Sequence, residues 1–387
     1  MTTKKKILII YEYFYPAYKA GGIVQSLRNL VDLMHNDYEF YCITGGYDLN
    51  EPLPLEGIQL NCWNQIAIAD EAAAYVWYDD KISLSPFKLH WLMAKVDPDI
   101  VYINGFMSIL FLMNPLWVIQ YSPFGKVRTI IAPRGMLQEG ALSLKSFKKK
   151  WYLKIVRFWN LTKGVEWHIT SKTEEAGIKK MFNPSDEQIH LVGNIPRHPI
   201  TELSASGKTP GKLSLVYASI IAEKKNLLFV LESLRYCKLD ITLNIYGVIK
   251  EDAYWKACLI AIGTLPPHVK VEYKGGFKPA EMQKIVQEHD AMILMSKGEN
   301  FAHAIYECLG AGRPVISSHF TSWNGLKEKN AGWNFGIEDP KALATELDQL
   351  ANLQHADWTH FCHGAHELAI QYLNGQSYLE DYTKLFG

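Results

Sequence analysis

The chain has 387 residues, 48% of them hydrophobic, and its 40 basic and 40 acidic residues give a formal net charge of zero. That length suggests two or more domains with ample apolar material for two cores, and the balance of charge gives no global case for a nucleic-acid binder. No apolar run reaches the length of a membrane span, MTTKKK leads straight into a strand rather than a signal peptide, and the six cysteines stand far apart without a C-x-x-C; zinc and disulfide frameworks are poorly supported, and reduced thiols in a cytoplasmic protein fit better.

Residues 6–11 (KILIIY) read as a buried strand, and 23–33 as a helix. The loop between them carries Gly21 and Gly22, and glycines let backbone approach a ligand closely. The pattern is not G-x-G-x-x-G, so dinucleotide binding is not indicated. Strand patterns recur at 39–44, 99–103, 128–132, 167–170 and 189–192, with helical patterns between most of them. Such alternation predicts a parallel sheet covered by helices, with ligands at the carboxyl ends of its strands. The loops after Tyr11, after Ile103 (Asn104, Gly105) and after Ala132 (Pro133, Arg134, Gly135) are therefore the ones to watch. Asp97-Pro98-Asp99 enters a strand at the opposite end and is discounted as a metal site. Residues 145–157 (KSFKKKWYLKIVR) carry six basic residues and no acid, interleaved with aromatics that continue to Trp159. That composition suits an anionic membrane surface or a solvated helix that packs its aromatics inward.

Residues 193–211 are rich in Pro, Gly, Ser and Thr and mark a domain boundary. A second alternation follows: strands at 213–218, 241–246 and 269–273, helices at 225–237, 252–262 and 279–288. It leads to LMSKGENFAHAIYECLGAGRPVISS at 294–318, read as strand, turn, helix and strand, with the helix opening near Phe301. The amides of Asn300, Phe301 and Ala302 would be the free N–H groups at that helix start, a place that favours phosphate. Glu299 stands at the mouth of the turn and Glu307 two turns on, roughly 12 Å further if the span is fully helical. Amides for an anion and carboxylates for hydroxyls suit a nucleotide sugar. Helices are expected at 339–353 and over most of 365–386.

Glu299-x7-Glu307 followed by GAGRPVISS resembles the E-x7-E signature of retaining glycosyltransferases of family 4. The resemblance implies the α/β GT-B fold: two doubly wound Rossmann-like domains facing a central cleft, an acceptor domain at 1–195 with a C-terminal helix at 370–387 crossing back, and a donor domain at 196–369. It implies further roles. Gly21 and Gly22 would lie against the donor diphosphate and the acceptor. ASIIAEKKNL at 218–227 is similar to the family's S-R-x-x-x-K-K-N, so Lys225, with Lys224 beside it, would grip the diphosphate, whereas Ile220 stands where the family has arginine. APRGML is similar to a P-H-G loop, with Arg134 in the histidine's place, read either as an electrostatic group or as a brace of its loop. Glu299 would hold the sugar, Glu307 the ribose, and Gly247 and Gly276 would border the base. The implied activity is sugar transfer from a nucleotide sugar with retention, without metal or other cofactor, to a glycan or lipid-linked acceptor such as a polysaccharide or lipopolysaccharide precursor. The place of action would be cytoplasmic, peripheral on the inner face of the plasma membrane. Alternatives are a non-catalytic or weakened nucleotide-sugar-binding relative, motivated by Ile220 and Arg134, and a nucleotide-sugar epimerase.

Overall fold

A computed structural model describes residues 4–69, 71–80, 83–137, 146–203 and 207–387; of residues 146–148 only the backbone is described. Lys145 of the basic segment and residues 204–206 of the expected linker thus lie outside the described residues. The chain divides into two compact units, Met1–Ile195 with Ser377–Gly387, and Pro196–Gln376.

The first unit is built on β1 (Lys5–Ile10), β2 (Tyr38–Gly45), β3 (Trp63–Ala67), β4 (Ala73–Asp79), β5 (Ile100–Asn104), β6 (Arg128–Ala132), β7 (Glu166–Ile169) and β8 (Ile189–Leu191). They lie side by side in the order β3-β4-β2-β1-β5-β6-β7-β8. All neighbours run parallel except β3, which is antiparallel to β4. The central strands are continuous apolar runs because helices cover both faces; Ile7, Leu8, Ile9 and Ile10 are fully buried. The strand order reverses between β1 and β5, the kind of switch point where doubly wound sheets leave room for a ligand. β3 and β4 form the sheet margin: β3 (WNQIA) mixes polar and apolar residues, whereas β4 (AAYVWYD) is an apolar run that the strand expectations left out.

The second unit holds β9 (Lys212–Ala218), β10 (Asp240–Tyr246), β11 (Val269–Gly275), β12 (Ala291–Leu294), β13 (Val315–Ser318) and β14 (Gly332–Phe335). They form an all-parallel sheet ordered β11-β10-β9-β12-β13-β14. Its switch point lies between β9 and β12. β14, at one edge of this sheet, is not among the strands expected from the sequence.

The carboxyl-terminal region is two helices rather than one. His355–Asn374 belongs to the second unit, the chain breaks at Gly375, and Tyr378–Phe386 belongs to the first. Phe386 meets the rings of Tyr38 and Tyr102 at 5.7 and 5.4 Å, and the Tyr382 hydroxyl donates to the Gly193 carbonyl at 3.2 Å. Among the described residues no helix is long and apolar enough to cross a membrane.

Candidate active site

After β9 the chain makes one 3-10 turn, Glu223–Lys225, passes through Asn226 at φ 60°, and enters the helix Leu227–Leu234. That helix starts two residues later than its periodicity suggests, so Lys224 and Lys225 ride on a turn at the strand's carboxyl end. Residues 296–299 follow the adjacent strand β12. The Lys297 amide donates to the Lys224 carbonyl at 2.9 Å and the Glu299 amide to the Phe320 carbonyl at 3.0 Å. These bonds fix the two loops against each other.

The result is an ion pair: Lys225 Nζ lies 2.5 Å from Glu299 Oε1, with side chains only 17% and 9% exposed. The Ser296 hydroxyl donates to the same carboxylate oxygen at 2.6 Å. Lys224 runs past Gly298, its Cε 3.8 Å from where a β-carbon there would sit. Burial pushes the Glu299 carboxyl up. The Lys225 charge and hydrogen bond, the Ser296 hydroxyl and the Lys224 charge together outweigh it and hold the group below its ordinary value. Glu299 is therefore ionised at neutral pH, at the switch point of its sheet.

The helix that carries Glu307 runs from His303 to Gly310. It opens later than the sequence suggests, so the amides of Asn300, Phe301 and Ala302 belong to the preceding turn, and 299–307 is not one helical span. Ala302 caps the helix at φ 60°, a left-handed conformation that costs an alanine about 1–2 kcal/mol. Its neighbour helps impose it. The Phe301 carbonyl accepts from the Trp323 indole N–H at 2.6 Å and the Ser322 hydroxyl at 3.1 Å, and the Phe301 ring is held by Trp323 and Tyr372 at 5.7 and 5.6 Å. The TSW motif at 321–323 is the clamp that bends the chain into this helix.

Glu307 is buried, and its carboxylate faces Arg197 at 4.0 Å. Burial raises its pKa to about 7, against a weaker opposing pull from Arg197. At 4.0 Å the arginine is at the limit of an ion pair and is itself bonded to the Pro279 carbonyl at 2.7 Å. A buried carboxylate so weakly partnered is suited to receive hydroxyl donors. Sequence reasoning missed both Ser296 and Arg197. Ser296 stands three residues before Glu299 and could have been noticed; Arg197 reaches Glu307 only through the fold.

In the first unit, Gly21 caps the helix Gly22–Met34 at φ 93° with open space where a side chain would be. The demand for glycine here is conformational, since L-residues rarely adopt that angle. Arg134 is the centre of an internal network. Its Nε donates to Asn104 Oδ1 at 2.9 Å, one terminal nitrogen to Asn194 Oδ1 at 2.6 Å, and the other to the Tyr102 hydroxyl at 2.9 Å. Tyr102 passes its own proton toward His168 Nδ1 at 2.6 Å, while His168 Nε2 donates to the Val192 carbonyl at 2.9 Å. Burial, reinforced by the Arg134 charge, holds His168 down to about 3, so the imidazole stays neutral. Of the two readings of Arg134, this geometry favours the brace. Nearby, at the carboxyl ends of β1, β2 and β4, a cavity of about 180 Å³ is lined by Glu12, Tyr13, Asp48, Asp80 and Phe111 among others.

Gly247 has an internal cause. At φ 149°, a β-carbon would sit 1.8 Å from the Ser219 carbonyl oxygen, so only glycine fits between the ends of β9 and β10. Gly276 is looser, with Val248 Cγ2 at 3.4 Å from its would-be β-carbon. Ile220 is half-buried and its carbonyl accepts from the Tyr217 hydroxyl at 3.2 Å. Asp99 accepts from the Lys6 amide at 2.7 Å, at the amino end of the sheet. Among the described residues no group of three or more His, Cys, Asp or Glu could hold a metal ion.

Residues 212–352, all in the second unit and including Lys225, Glu299 and Glu307, match the family model of glycosyl transferases group 1. Similar solved structures include sucrose-phosphate synthase from Thermosynechococcus elongatus, at 15% identity over 99% of this chain and 98% of that one, with a TM-score of 0.73. A glycosyltransferase from Rickettsia africae follows at 15% identity, 99% and 98% coverage and a TM-score of 0.68. Anabaena HepE, solved with UDP and glucose, stands at 13%, 98% and 98%, and 0.68. No curated protein sequence matches the chain. The chain as a whole has the GT-B fold, and its residues 212–352 are similar to the group 1 glycosyl transferases.

Proposed function

We propose that this protein transfers a sugar from a nucleotide-sugar donor to an acceptor hydroxyl with retention at the anomeric carbon, without metal. The observation that carries the reading is the Lys225–Glu299 pair at the switch point of the second sheet, with Lys224 beside it. As the bond from the anomeric carbon to the diphosphate breaks, its electron pair leaves with the diphosphate. Lys225 and Lys224 are placed to stabilise that charge, in a setting where fixed charges act more strongly than in water. Glu299 holds the sugar hydroxyls and orients the ring. Glu307 receives the ribose hydroxyls. Both glutamates belong to one strand–turn–helix unit, which speaks against a hydrolase with carboxylates on opposite walls.

The acceptor side of the reading rests on the first unit, where Gly21 and Gly22 adjoin the ligand-side edge of the sheet. With its guanidinium engaged by Asn104, Asn194 and Tyr102, Arg134 supports this edge rather than contacting an anionic acceptor. The carboxylates lining the cavity there suit a hydroxyl-rich acceptor better than an acidic one. A lipid-linked or cell-surface glycan precursor, reached from the cytoplasmic side, is the acceptor class we propose.

The test mixes the protein with a panel of nucleotide sugars and follows release of free nucleotide. Slow hydrolysis or transfer to added acceptor, with product of the donor's anomeric configuration, supports the reading. Binding without turnover identifies a non-catalytic relative, consistent with Ile220, and an isomerised donor identifies an epimerase; either result overturns it.

A further inference from the structure

We propose that one face of the first unit docks on an anionic lipid bilayer, through the exposed side of the helix Ser146–Phe158 and the neighbouring helix Asn114–Tyr121. Charge is the first argument. The chain as a whole is neutral, yet between Ile100 and Val165 its sequence holds ten basic residues and a single acid, Glu139. Neither of the two helices contains an acid.

The second argument is the packing of the helix Ser146–Phe158. It carries two apolar stripes. Tyr152, Leu153 and Val156 face inward; Val156 is fully buried, and the Tyr152 hydroxyl donates to the Ser108 carbonyl at 2.8 Å. One stripe suffices to hold an amphipathic helix on a core. Yet Trp151, Ile155 and Phe158, spaced i, i+4, i+7, line the opposite side and are 53%, 38% and 84% exposed. Exposed Lys150, Lys154 and Arg157 flank them, with the Lys154 ammonium 5.2 Å from the Trp151 ring centre.

The neighbouring helix extends the patch. Trp117 and Tyr121 are exposed and in ring contact at 5.7 Å, and the Tyr121 hydroxyl reaches the carbonyl of exposed Trp159 at 3.4 Å. Contiguous exposed apolar surface of this kind marks an interaction site. Trp, Tyr and Phe are the residues that settle at the headgroup boundary, and Lys and Arg add attraction to anionic lipid. A nucleic acid would use the lysines and leave Ile155 and Phe158 in water. The combination of basic and aromatic groups therefore selects a negatively charged bilayer. This inference goes beyond the transfer reaction and is independent of it.

The test is flotation of the full chain with vesicles of phosphatidylcholine alone and with about a third phosphatidylglycerol. Binding is expected to the anionic vesicles, weakening as salt screens the charges, and to be at least tenfold weaker to the neutral ones. Reversing Lys150, Lys154 and Arg157 to Glu together should weaken anionic binding by about a hundredfold or more. W151S/F158S should abolish quenching of tryptophan fluorescence by brominated lipid. All these side chains are exposed, so unfolding does not confound the result, and nucleotide release in solution should be unchanged. Equal binding to neutral vesicles, binding indifferent to the charge reversal, or no vesicle binding at all overturns the proposal. So does a dimer in solution that W151S/F158S dissolves without any vesicle binding by the native chain.

Discussion

Replacing Glu307 by glutamine separates the energetic burden of a buried carboxylate from its use. Its pKa rises from the ordinary 4.5 to about 7 because burial disfavours the charged form. At about 1.36 kcal/mol per pH unit, that rise corresponds to about 3 kcal/mol. The sign follows from the direction. A group whose pKa is raised by folding favours the folded state below its unfolded value, and that advantage disappears as pH rises through the folded value. Glu307 therefore burdens the native protein by about 1 kcal/mol at pH 5 and by about 3 kcal/mol at pH 8. Glutamine is neutral throughout. Glu307→Gln should accordingly be the more stable protein at pH 8, with a transition of the second unit roughly 6–12 °C higher, the gap narrowing to roughly 2–4 °C at pH 5. Thermal unfolding of both proteins across that range measures it. Nucleotide titration measures the other half. The variant should lose about tenfold to a hundredfold in affinity, as befits a charge-assisted hydrogen bond worth about 1.5–3 kcal/mol. The native protein should bind more weakly as pH falls below about 7, because ribose hydroxyls need the ionised carboxylate, whereas the variant's affinity should be flat. A stability difference that does not grow with pH refutes the burial argument, and an unchanged nucleotide affinity refutes the ribose contact.

Lys225→Ala leaves an ionised Glu299 buried without its partner and should cost about 3–5 kcal/mol in denaturant unfolding, much of it recovered in the Lys225→Ala/Glu299→Ala double variant; additive losses would mean the pair is not coupled. Glu299→Ala should abolish turnover of the donor while leaving nucleotide affinity within a few fold, and comparable losses in both would remove its assignment to the sugar. Ile220→Arg should raise donor affinity about tenfold or more, by one charge-assisted bond to the diphosphate; no gain in calorimetric titration would show that the missing arginine is no deficit here. Arg134→Ala should destabilise the first unit by on the order of 3 kcal/mol, since Asn104, Asn194 and Tyr102 each lose a donor, and should leave nucleotide affinity unchanged; a stable variant with impaired binding would restore the ligand-contacting role.

Much of the fold was written in the chain, because a strand buried on both faces must be apolar throughout. β1, β5 and β12 read directly as such runs, β6, β9 and β13 as shorter apolar stretches and β10 as an alternation, and the carboxyl ends of β6, β9 and β12 located the loops of Arg134, Lys225 and Glu299. The edge strand β3 was not legible, since its partly exposed residues mix polar and apolar types, whereas β4 beside it is an apolar run that could have been found. The helix start at His303 was hidden for another reason. Phe301 has helical spacing to Ile305, but its ring and carbonyl are taken by Trp323, Ser322 and Tyr372, so tertiary packing overrides the local pattern.

By itself, then, the sequence determined the alternation of strands and helices, the residue types at each strand end, and the glutamate spacing, all of them local properties of period and composition. Only the tertiary structure decided which of those residues meet. Lys225 and Glu299 are 74 positions apart and touch because β9 and β12 are neighbours. Glu307 is perturbed by burial and by Arg197, and Gly247 is glycine because Ser219 leaves no room for a side chain. Contact depends on strand order and register, and a carboxylate's charge depends on how much water its neighbours exclude; both are properties of the folded chain that no stretch of residues carries alone.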